Sequence, residues 1–227
     1  MIKMDIEDLN IVSSKTTKNI KSISFNFDGP VGNIEAILDI PETQHQSDYY
    51  SVICHPHPLH GGSMTNKVAH YIAKSLNELN HPTLRFNFRG VGKSQGLFDN
   101  AEGEKKDLLA AIDLMQNLYP EKSLCLSGFS FGAYIALSMA HFVNADKLIT
   151  VAPAVHLYDF TKVELPDCDW LLIQGNQDEI VPSDQAITWA QSLTLPPTIE
   201  ILENTGHFFH GRLNDLRNII INHLQTT

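Results

Sequence analysis

The chain has 227 residues, of which 43% are hydrophobic, so it can bury a normal core and intrinsic disorder is not expected. Its formal net charge of −10 argues against nucleic acid and anionic membranes as main partners. The N-terminus lacks the apolar segment of a signal peptide, and no apolar run approaches the roughly 20 residues that span a bilayer. We therefore expect a single cytoplasmic domain covering residues 1–227, with residues 1–20 as an N-terminal extension.

The three cysteines are typical of a cytoplasmic protein. Cys54 and Cys125 lie in apolar, strand-like runs, and the spacing of these two and Cys168 fits neither a CxxC site nor a disulfide framework. We interpret Cys54 and Cys125 as inert core thiols in a reducing compartment.

The first part of the chain predicts a hairpin and a buried strand. Residues 1–20 are polar and weakly patterned, so we interpret them as an extension, and pairing at a sheet edge is the structure considered for them. Residues 22–28 alternate between apolar and polar side chains, and residues 31–40 follow after a Gly29-Pro30 turn, a pattern typical of a β-hairpin. Residues 49–54 are mostly apolar and do not alternate, which indicates a strand buried on both faces.

From residue 49 onward, predicted strands alternate with predicted helices. Further strands are expected at 83–88, in the apolar run that begins at Leu124, and at 147–152, 170–174 and 198–202. Helices are expected up to Asn80, along the apolar stripe from Leu108 to Leu118, after Ser130, over 184–193 and along the stripe from Leu213 to Leu224. This alternation predicts an α/β fold with a mostly parallel sheet of about eight strands and helices on both faces.

One stretch organises these elements. The apolar run from Leu124 leads into the segment 128–132, Gly-Phe-Ser-Phe-Gly, and an apolar segment of helical length follows. This layout predicts a strand, a sharp turn and a helix, with Ser130 at the corner where a base can reach its hydroxyl. Gly128 and Gly132 lack a Cβ, so the strand and the helix can approach closely. The alternative is a glycine-rich turn whose serine only caps the helix.

Candidate partners of Ser130 follow two other predicted strands. In an open parallel sheet, ligands bind outside the carboxyl ends of the strands, so the residues directly after each strand share one edge. Asp178 follows the strand at 170–174, and His207 follows the strand at 198–202. Serine, acid and histidine therefore occur in the chain order of a nucleophile-elbow triad.

The chain from Tyr49 to its end resembles the α/β-hydrolase superfamily and, more closely, a bacterial family of small predicted serine hydrolases. The resemblance rests on four segments in order: His55-Pro56-His57-Pro58 with Gly61-Gly62, Phe86-Asn87-Phe88-Arg89-Gly90-Val91-Gly92-Lys93-Ser94, Gly128-Phe129-Ser130-Phe131-Gly132, and Gly206-His207-Phe208-Phe209-His210-Gly211-Arg212. It implies the fold and a catalytic triad of Ser130 as nucleophile, His207 as base and Asp178 as the residue that orients the imidazole. It implies the substrate poorly, because one scaffold hosts many activities.

Three further residues are alternatives to the acid or to the base of this triad. Glu179 adjoins Asp178, and the resembling loops favour Asp178. Some members of the superfamily take their acid from after the preceding strand, which here is Asp159. His210 lies three residues after His207 and near a helix start, so we expect it to cap or pack.

An oxyanion hole needs two converging N–H donors. The first is expected at Phe131, directly after the nucleophile. The second is expected in the loop after the strand at 49–54, where proline cannot donate and His57 or Leu59 must supply it. Resemblance to hydrolases with a His-Gly pattern favours His57. His55, His57 and His60 also look like metal ligands, but no carboxylate or cysteine lies within the run, so we expect neither a metal nor a cofactor.

The segment 155–169 is where many relatives insert a lid, and here it is too short for a helical cap domain. Its Leu157 and Phe160 are expected either to wall a small apolar pocket together with Phe129 and Leu59 or simply to pack the loop onto the sheet. Without a large lid, short-chain soluble substrates are favoured.

Taken together, these features predict a serine hydrolase that cleaves a small soluble carboxylic ester through an acyl-enzyme. A peptidase or amidase of the prolyl-oligopeptidase type shares the triad order, but such enzymes usually carry an extra domain that filters substrate size. A non-catalytic interaction module that retains the fold is the alternative from another class.

Overall fold

The computed structural model describes residues 4–17, 19–45 and 47–226. These residues form nine strands in one sheet and five α-helices. The strands are β1 (Asn10–Thr17), β2 (Ile20–Gly29), β3 (Gly32–Pro41), β4 (Tyr49–Cys54), β5 (Thr83–Phe86), β6 (Ser123–Phe129), β7 (Lys147–Val151), β8 (Asp169–Gly175) and β9 (Thr198–Leu202). The helices are α1 (Lys67–Glu78), α2 (Glu102–Leu118), α3 (Phe131–Ala140), α4 (Ser183–Gln191) and α5 (Leu213–Thr226).

The strand order in the sheet is β1-β2-β3-β5-β4-β6-β7-β8-β9. Strands β1 to β3 form an antiparallel meander, β3 pairs antiparallel with β5, and the pairs from β5 to β9 are all parallel. The predicted α/β fold is therefore confirmed. The ninth strand is β1, which lies within the predicted extension 1–20 and pairs with β2 at the sheet edge; residues 1–3 lie outside the described residues.

Most of the predicted strands have nearly the predicted bounds, and β4 and β9 agree with the prediction at both ends. Strand β5 ends at Phe86, two residues earlier than predicted. The reason is that the N–H of Phe88 donates to Nε2 of buried His55 at 3.0 Å instead of to a neighbouring strand. The same bond ties the loop after β5 to the loop after β4.

Each face of the sheet carries its own apolar core. Helices α2 and α3 cover one face, where Leu108 and Ile135 are fully buried among side chains such as Phe25. Helices α1 and α5 cover the other face through residues such as Ile72 and Ile220. Because the central strands are covered on both faces, their chemistry-bearing residues are accessible only at the edge where the loops after the strands meet.

A buried ion pair braces the loop after β5. The guanidinium of Arg89 donates to both carboxylate oxygens of Asp107 on α2, at 2.7 Å to Oδ1 from one terminal nitrogen and at 3.0 Å to Oδ2 from Nε. Asp107 also accepts the backbone N–H of Arg89 at 3.0 Å. The side chain of Asp107 is fully buried, so the pair fixes the start of the loop against α2.

Asp107→Ala is expected to reduce the free energy of unfolding by about 3–5 kcal/mol, because it removes the buried partner of the Arg89 guanidinium and leaves only the exposed Asp99 at 3.7 Å. Urea unfolding followed by circular dichroism measures this. Glu102→Ala is the matched control, since it removes an exposed ion pair with Lys105 on the same helix and should cost no more than about 1 kcal/mol. Equal losses in the two variants would contradict the role of the brace.

Candidate active site

Ser130 occupies a strained turn between β6 and α3. Its backbone lies at φ 57° and ψ −115°, a conformation that side-chain-bearing residues rarely adopt. A Cβ on Gly128 would lie 2.1 Å from the carbonyl oxygen of Gly132, and a Cβ on Gly132 would lie 2.3 Å from that of Cys54. The two glycines therefore allow the helix to start directly against the sheet, as predicted, and Ser130 projects at the corner.

The structure brings the three predicted triad side chains together. Ser130 Oγ lies 3.1 Å from His207 Nε2, and His207 Nδ1 lies 2.8 Å from Asp178 Oδ2. All three are largely shielded from solvent, with Ser130 8% and His207 3% exposed and the Asp178 side chain fully buried. The arrangement forms an unbroken chain from the hydroxyl through the imidazole to the carboxylate.

Four donors fix the carboxylate of Asp178. Oδ1 accepts the N–H groups of Ile180 at 2.9 Å and Val181 at 2.7 Å, and Oδ2 accepts His207 Nδ1 and the side-chain amide of Gln174, the latter at 3.0 Å. Burial raises the pKa of Asp178, but the hydrogen bond and charge of His207 and the two backbone N–H groups outweigh it, and the net pKa lies below the ordinary value. Asp178 is therefore ionised at neutral pH.

Gln174 is a site residue that was not anticipated. It is fully buried at the end of β8, and its Nε2 donates both to Asp178 and to the carbonyl of Gly175 at 3.2 Å. Its Oε1 is buried and has no hydrogen-bond partner among the described residues. The available signal was a polar side chain in an otherwise apolar strand, directly before the loop that carries Asp178.

Further contacts hold the imidazole of His207 in place. The backbone N–H of His207 donates to Oε2 of Glu179 at 3.0 Å, so Glu179 positions the loop rather than the ring. The ring of Phe129 lies 4.8 Å from the imidazole, and that of Phe208 lies 5.1 Å away at 82°. The imidazole thus contacts two aromatic rings, whose centroids lie 6.4 Å apart, on adjacent sides.

The loop after β4 reaches the start of α3. The ring of His57 lies 5.1 Å from that of Phe131, which follows Ser130 and begins the helix. The first N–H groups of a helix have no acceptor within it, so the one at Phe131 is available to a ligand. The N–H of Leu59 donates to His57 Nδ1 at 3.2 Å, which leaves His57 as the better of the two predicted loop donors.

Comparisons with known proteins agree with this geometry. A family model described as serine aminopeptidase, S33, matches residues 57–167. An uncharacterized protein of Rickettsia prowazekii (strain Madrid E) is 33% identical over 210 residues, covering 88% of this chain and 87% of that protein. A solved α/β serine hydrolase without lid from Xanthomonas campestris is 39% identical with a TM-score of 0.87, over 90% of this chain and 94% of that one. An alpha-beta serine hydrolase homologue from Coxiella burnetii is 40% identical with a TM-score of 0.86, over 93% of this chain and all of that one (100%).

The chain belongs to the α/β-hydrolase superfamily. The resemblance drawn from the four sequence segments is thereby confirmed at the level of the superfamily and of the fold. The segment between β7 and β8 contains one 3-10 turn, Phe160–Lys162, and no α-helix, so this α/β hydrolase carries a minimal lid.

The four predicted pocket residues of this α/β hydrolase occupy different environments. Leu59 and Leu157 are exposed on their loops, whereas Phe129 is buried beneath the imidazole of His207. Phe160 is buried against Tyr134 at 5.1 Å and Trp189 at 4.8 Å between ring centroids, which is the packing arrangement that the sequence left open. Phe98 was not anticipated, and its ring lies 4.9 Å from that of His57.

The alternative acids and bases lie outside the triad. Asp159 accepts the N–H of Thr161 at 3.1 Å and pairs with Lys162 at 3.0 Å, so it stabilises its own turn. His210 is exposed, and its ring contacts Phe208 at 5.9 Å. Neither contacts His207 or Ser130 through a hydrogen bond within the described part of the chain.

His55 is engaged at both ring nitrogens. Nδ1 lies 2.6 Å from the carbonyl oxygen of Pro56, and Nε2 accepts from Phe88. Burial lowers the pKa of His55 to about 4, so the ring is neutral and serves as a structural link between loops. Within residues 4–17, 19–45 and 47–226, no group of three His, Cys, Asp or Glu side chains is arranged to hold a metal ion.

A separate groove of about 760 Å³ lies between the β1–β3 meander and α1. Lys15, Asp39, His70 and Lys74 are among its lining residues, and none of the triad residues lines it. It is therefore distinct from the site around Ser130. Among the helices of the described residues, none is long and apolar enough to cross a membrane.

Proposed function

We propose that this α/β hydrolase cleaves a small, soluble carboxylic ester through an acyl-enzyme intermediate, with Ser130, His207 and Asp178 as its catalytic triad. The observation that carries the proposal is the continuous set of contacts from Ser130 Oγ to His207 Nε2 at 3.1 Å and from His207 Nδ1 to Asp178 Oδ2 at 2.8 Å. The matching chain order and the strained turn at Ser130 support it.

In the proposed reaction, Ser130 Oγ attacks the carbonyl carbon of the ester while His207 Nε2 takes the hydroxyl proton. The C–O bond to the alcohol then breaks, and His207 returns that proton to the departing alkoxide. Water repeats the sequence, giving the carboxylic acid and free Ser130. Asp178, kept ionised by its donors, holds Nδ1 protonated and stabilises the imidazolium that forms in each half.

The negative charge on the tetrahedral intermediate needs its own donors. We assign the N–H of Phe131 and the N–H of His57 to this oxyanion hole, because α3 begins at Phe131 and the His57 loop packs against it. The partial positive charge of the helix start favours an oxyanion at this place. Each such donor lowers the barrier by about 3 kcal/mol in comparable enzymes.

The match to the serine aminopeptidase family makes amide cleavage the second candidate. An aminopeptidase must bind the free ammonium group of its substrate, usually with a carboxylate. Of the two acids in the loop after β8, Asp178 is bound to the ring of His207, and Oε2 of the exposed Glu179 accepts the backbone N–H of His207, which leaves only Oε1 of Glu179 for an ammonium group. This engagement of both acids favours the ester over the peptide.

The nucleophile can be identified directly. A fluorophosphonate probe is expected to modify Ser130, as mapped by mass spectrometry, and Ser130→Ala should lower ester turnover by about 10⁴-fold or more, because triad members act as a unit. His207→Ala should have a comparable effect, whereas His210→Ala, its matched control, should have little. Absence of labelling at Ser130 in the folded protein would favour a non-catalytic module, and a reversed pair of histidine effects would overturn the base assignment.

Substrate class is tested by a panel of p-nitrophenyl acetate, p-nitrophenyl butyrate, a long-chain triglyceride emulsion and aminoacyl-proline amides. We expect kcat/KM to be highest for the soluble esters, because the minimal lid between β7 and β8 contains no α-helix that could bind a lipid chain at an interface. Preference for the triglyceride or for the amides would replace the proposed activity with that of a lipase or a peptidase.

Gln174→Leu is expected to lower kcat/KM by about tenfold or more, since a hydrogen bond to a charged group contributes about 1.5–3 kcal/mol. Gln174→Glu separates a positioning role from simple packing. The introduced carboxyl would lie about as close to Asp178 as the present amide, and two carboxyl groups so close share one proton. While protonated, the introduced carboxyl group can donate a hydrogen bond to Asp178 as the amide of Gln174 does. The activity of this variant should therefore fall as the pH rises and the carboxyl loses its proton, unlike that of the native protein.

The pH profile of kcat/KM for the three proteins gives the measurement. Circular dichroism and the melting temperature serve as controls for folding. If the Gln174→Glu profile runs parallel to the native one, Gln174 is a packing residue only.

A further inference from the structure

Five exposed apolar side chains surround the triad edge, and we refer to them as the apolar rim. Each stands on a different loop, one after each of the strands β4, β5, β7, β8 and β9. Their exposed fractions range from 38% to 83%. The residues are Leu59, Leu97, Leu157, Ile180 and Phe208.

Near the proposed oxyanion hole, each rim residue lies beside a residue, in the chain or through a hydrogen bond, whose ring contacts Phe131. Leu59 donates its N–H to His57, whose ring contacts Phe131 at 5.1 Å. Leu97 precedes Phe98, whose ring lies 5.9 Å from Phe131. The ring of Tyr158, which follows Leu157, lies 5.5 Å from that of Phe131.

On the histidine side the contacts are direct. Ile180 donates its N–H to Asp178 at 2.9 Å, and Phe208 places its ring 5.1 Å from the imidazole of His207. The loops that carry the rim therefore contact the site on both sides of Ser130. A single exposed leucine needs no explanation, but apolar side chains concentrated around a nucleophile mark a ligand surface.

Three of the five rim loops contain no acidic, lysine or arginine side chain near the site, which argues against an ionic substrate. Residues 55–62, 152–158 and 204–210 contain no Asp, Glu, Lys or Arg. In the loop after β8, Asp178 and Glu179 each accept a hydrogen bond from His207. In the loop after β5, Arg89 is paired with Asp107 and Asp99, and Lys93 is exposed. A neutral, apolar group matches this surface better than a sugar, a phosphate or a charged peptide.

We propose that the apolar rim binds a hydrocarbon chain of the substrate, so that the natural ester carries an alkyl chain longer than acetyl and of medium length. The proposal rests on the proposed esterase activity and narrows it. Because the lid between β7 and β8 is minimal, the chain lies on an open surface and remains partly in water. Its contacts add to transition-state binding through the apolar area that they remove from water.

Two series of substrates test the proposal below their micelle-forming concentrations. One runs from p-nitrophenyl acetate through butyrate and hexanoate to octanoate, and the other from ethyl through butyl to hexyl acetate. In at least one series kcat/KM should rise about twofold or more with each added methylene. The responding series tells whether the chain belongs to the acid or to the alcohol.

Variants then connect the slope with the rim. Leu59→Ser combined with Leu157→Ser should flatten the responding series to less than half its native slope. Leu195→Ser combined with Phe142→Ser is the matched control, because these exposed residues follow α4 and α3 at the opposite edge of the sheet and should leave both series unchanged. Light scattering of each variant reports the oligomeric state.

The outcomes are distinct. Flat series in a protein whose Ser130 still reacts with a fluorophosphonate would overturn the rim proposal and leave the esterase proposal standing. A protein that neither labels nor turns over any ester would overturn both. A rising series that the rim variants leave unchanged, or a change of mass in those variants without a change of slope, would assign the rim to contacts other than substrate.

Discussion

The close approach of α3 to β4 and β6 determines the position of Ser130, the proposed nucleophile. A Cβ at Gly132 would clash with the carbonyl oxygen of Cys54 on β4, and a Cβ at Gly128 on β6 would clash with the carbonyl oxygen of Gly132 on α3. Ser130, between them, adopts a positive φ that costs on the order of 1–3 kcal/mol. Burial of apolar residues of α3 against the sheet, such as Ile135, offsets that strain. The position of the hydroxyl is therefore a consequence of core packing rather than of the loop alone.

The orientation of His207 in the proposed triad depends on how Asp178 is held. Its carboxylate is bound by the loop that carries it, through Ile180 and Val181, and by Gln174 from the strand below. Gln174 leaves its own Oε1 buried without a partner in the described part of the chain, which is unfavourable by about 1–3 kcal/mol. We explain this cost by the other end of the amide, because Nε2 of Gln174 orients the ionised carboxylate of Asp178. The imidazole of His207 then takes its direction from an acid that is already fixed.

The sequence was sufficient to predict the α/β sheet and the meeting of Ser130, Asp178 and His207, because both depend on chain order. Residues that follow parallel strands must share an edge whatever the loops do in between. The position of Phe160 in the core and the contact of Phe98 with His57 were not predictable, since periodicity gives the face of an element but not the path of a loop. Gln174 was visible as a polar residue in an apolar strand, but its partner depends on a side-chain rotamer. Strand β1 has no apolar face to reveal it, because all eight of its residues are exposed.

The loops around the triad are tied to one another and not to a mobile cap. The loop after β5 is held to α2 by Arg89 and Asp107 and to the loop after β4 by Phe88 and His55. A site braced in this way is preorganised, so little binding energy is needed to order it when the substrate arrives. In the proposed reaction, the hydrogen-bonded groups beneath these loops serve any acyl transfer alike, so the proposal assigns discrimination between substrates to the exposed side chains that the loops present. It thereby assigns the chemistry and the specificity to different layers of the same loops.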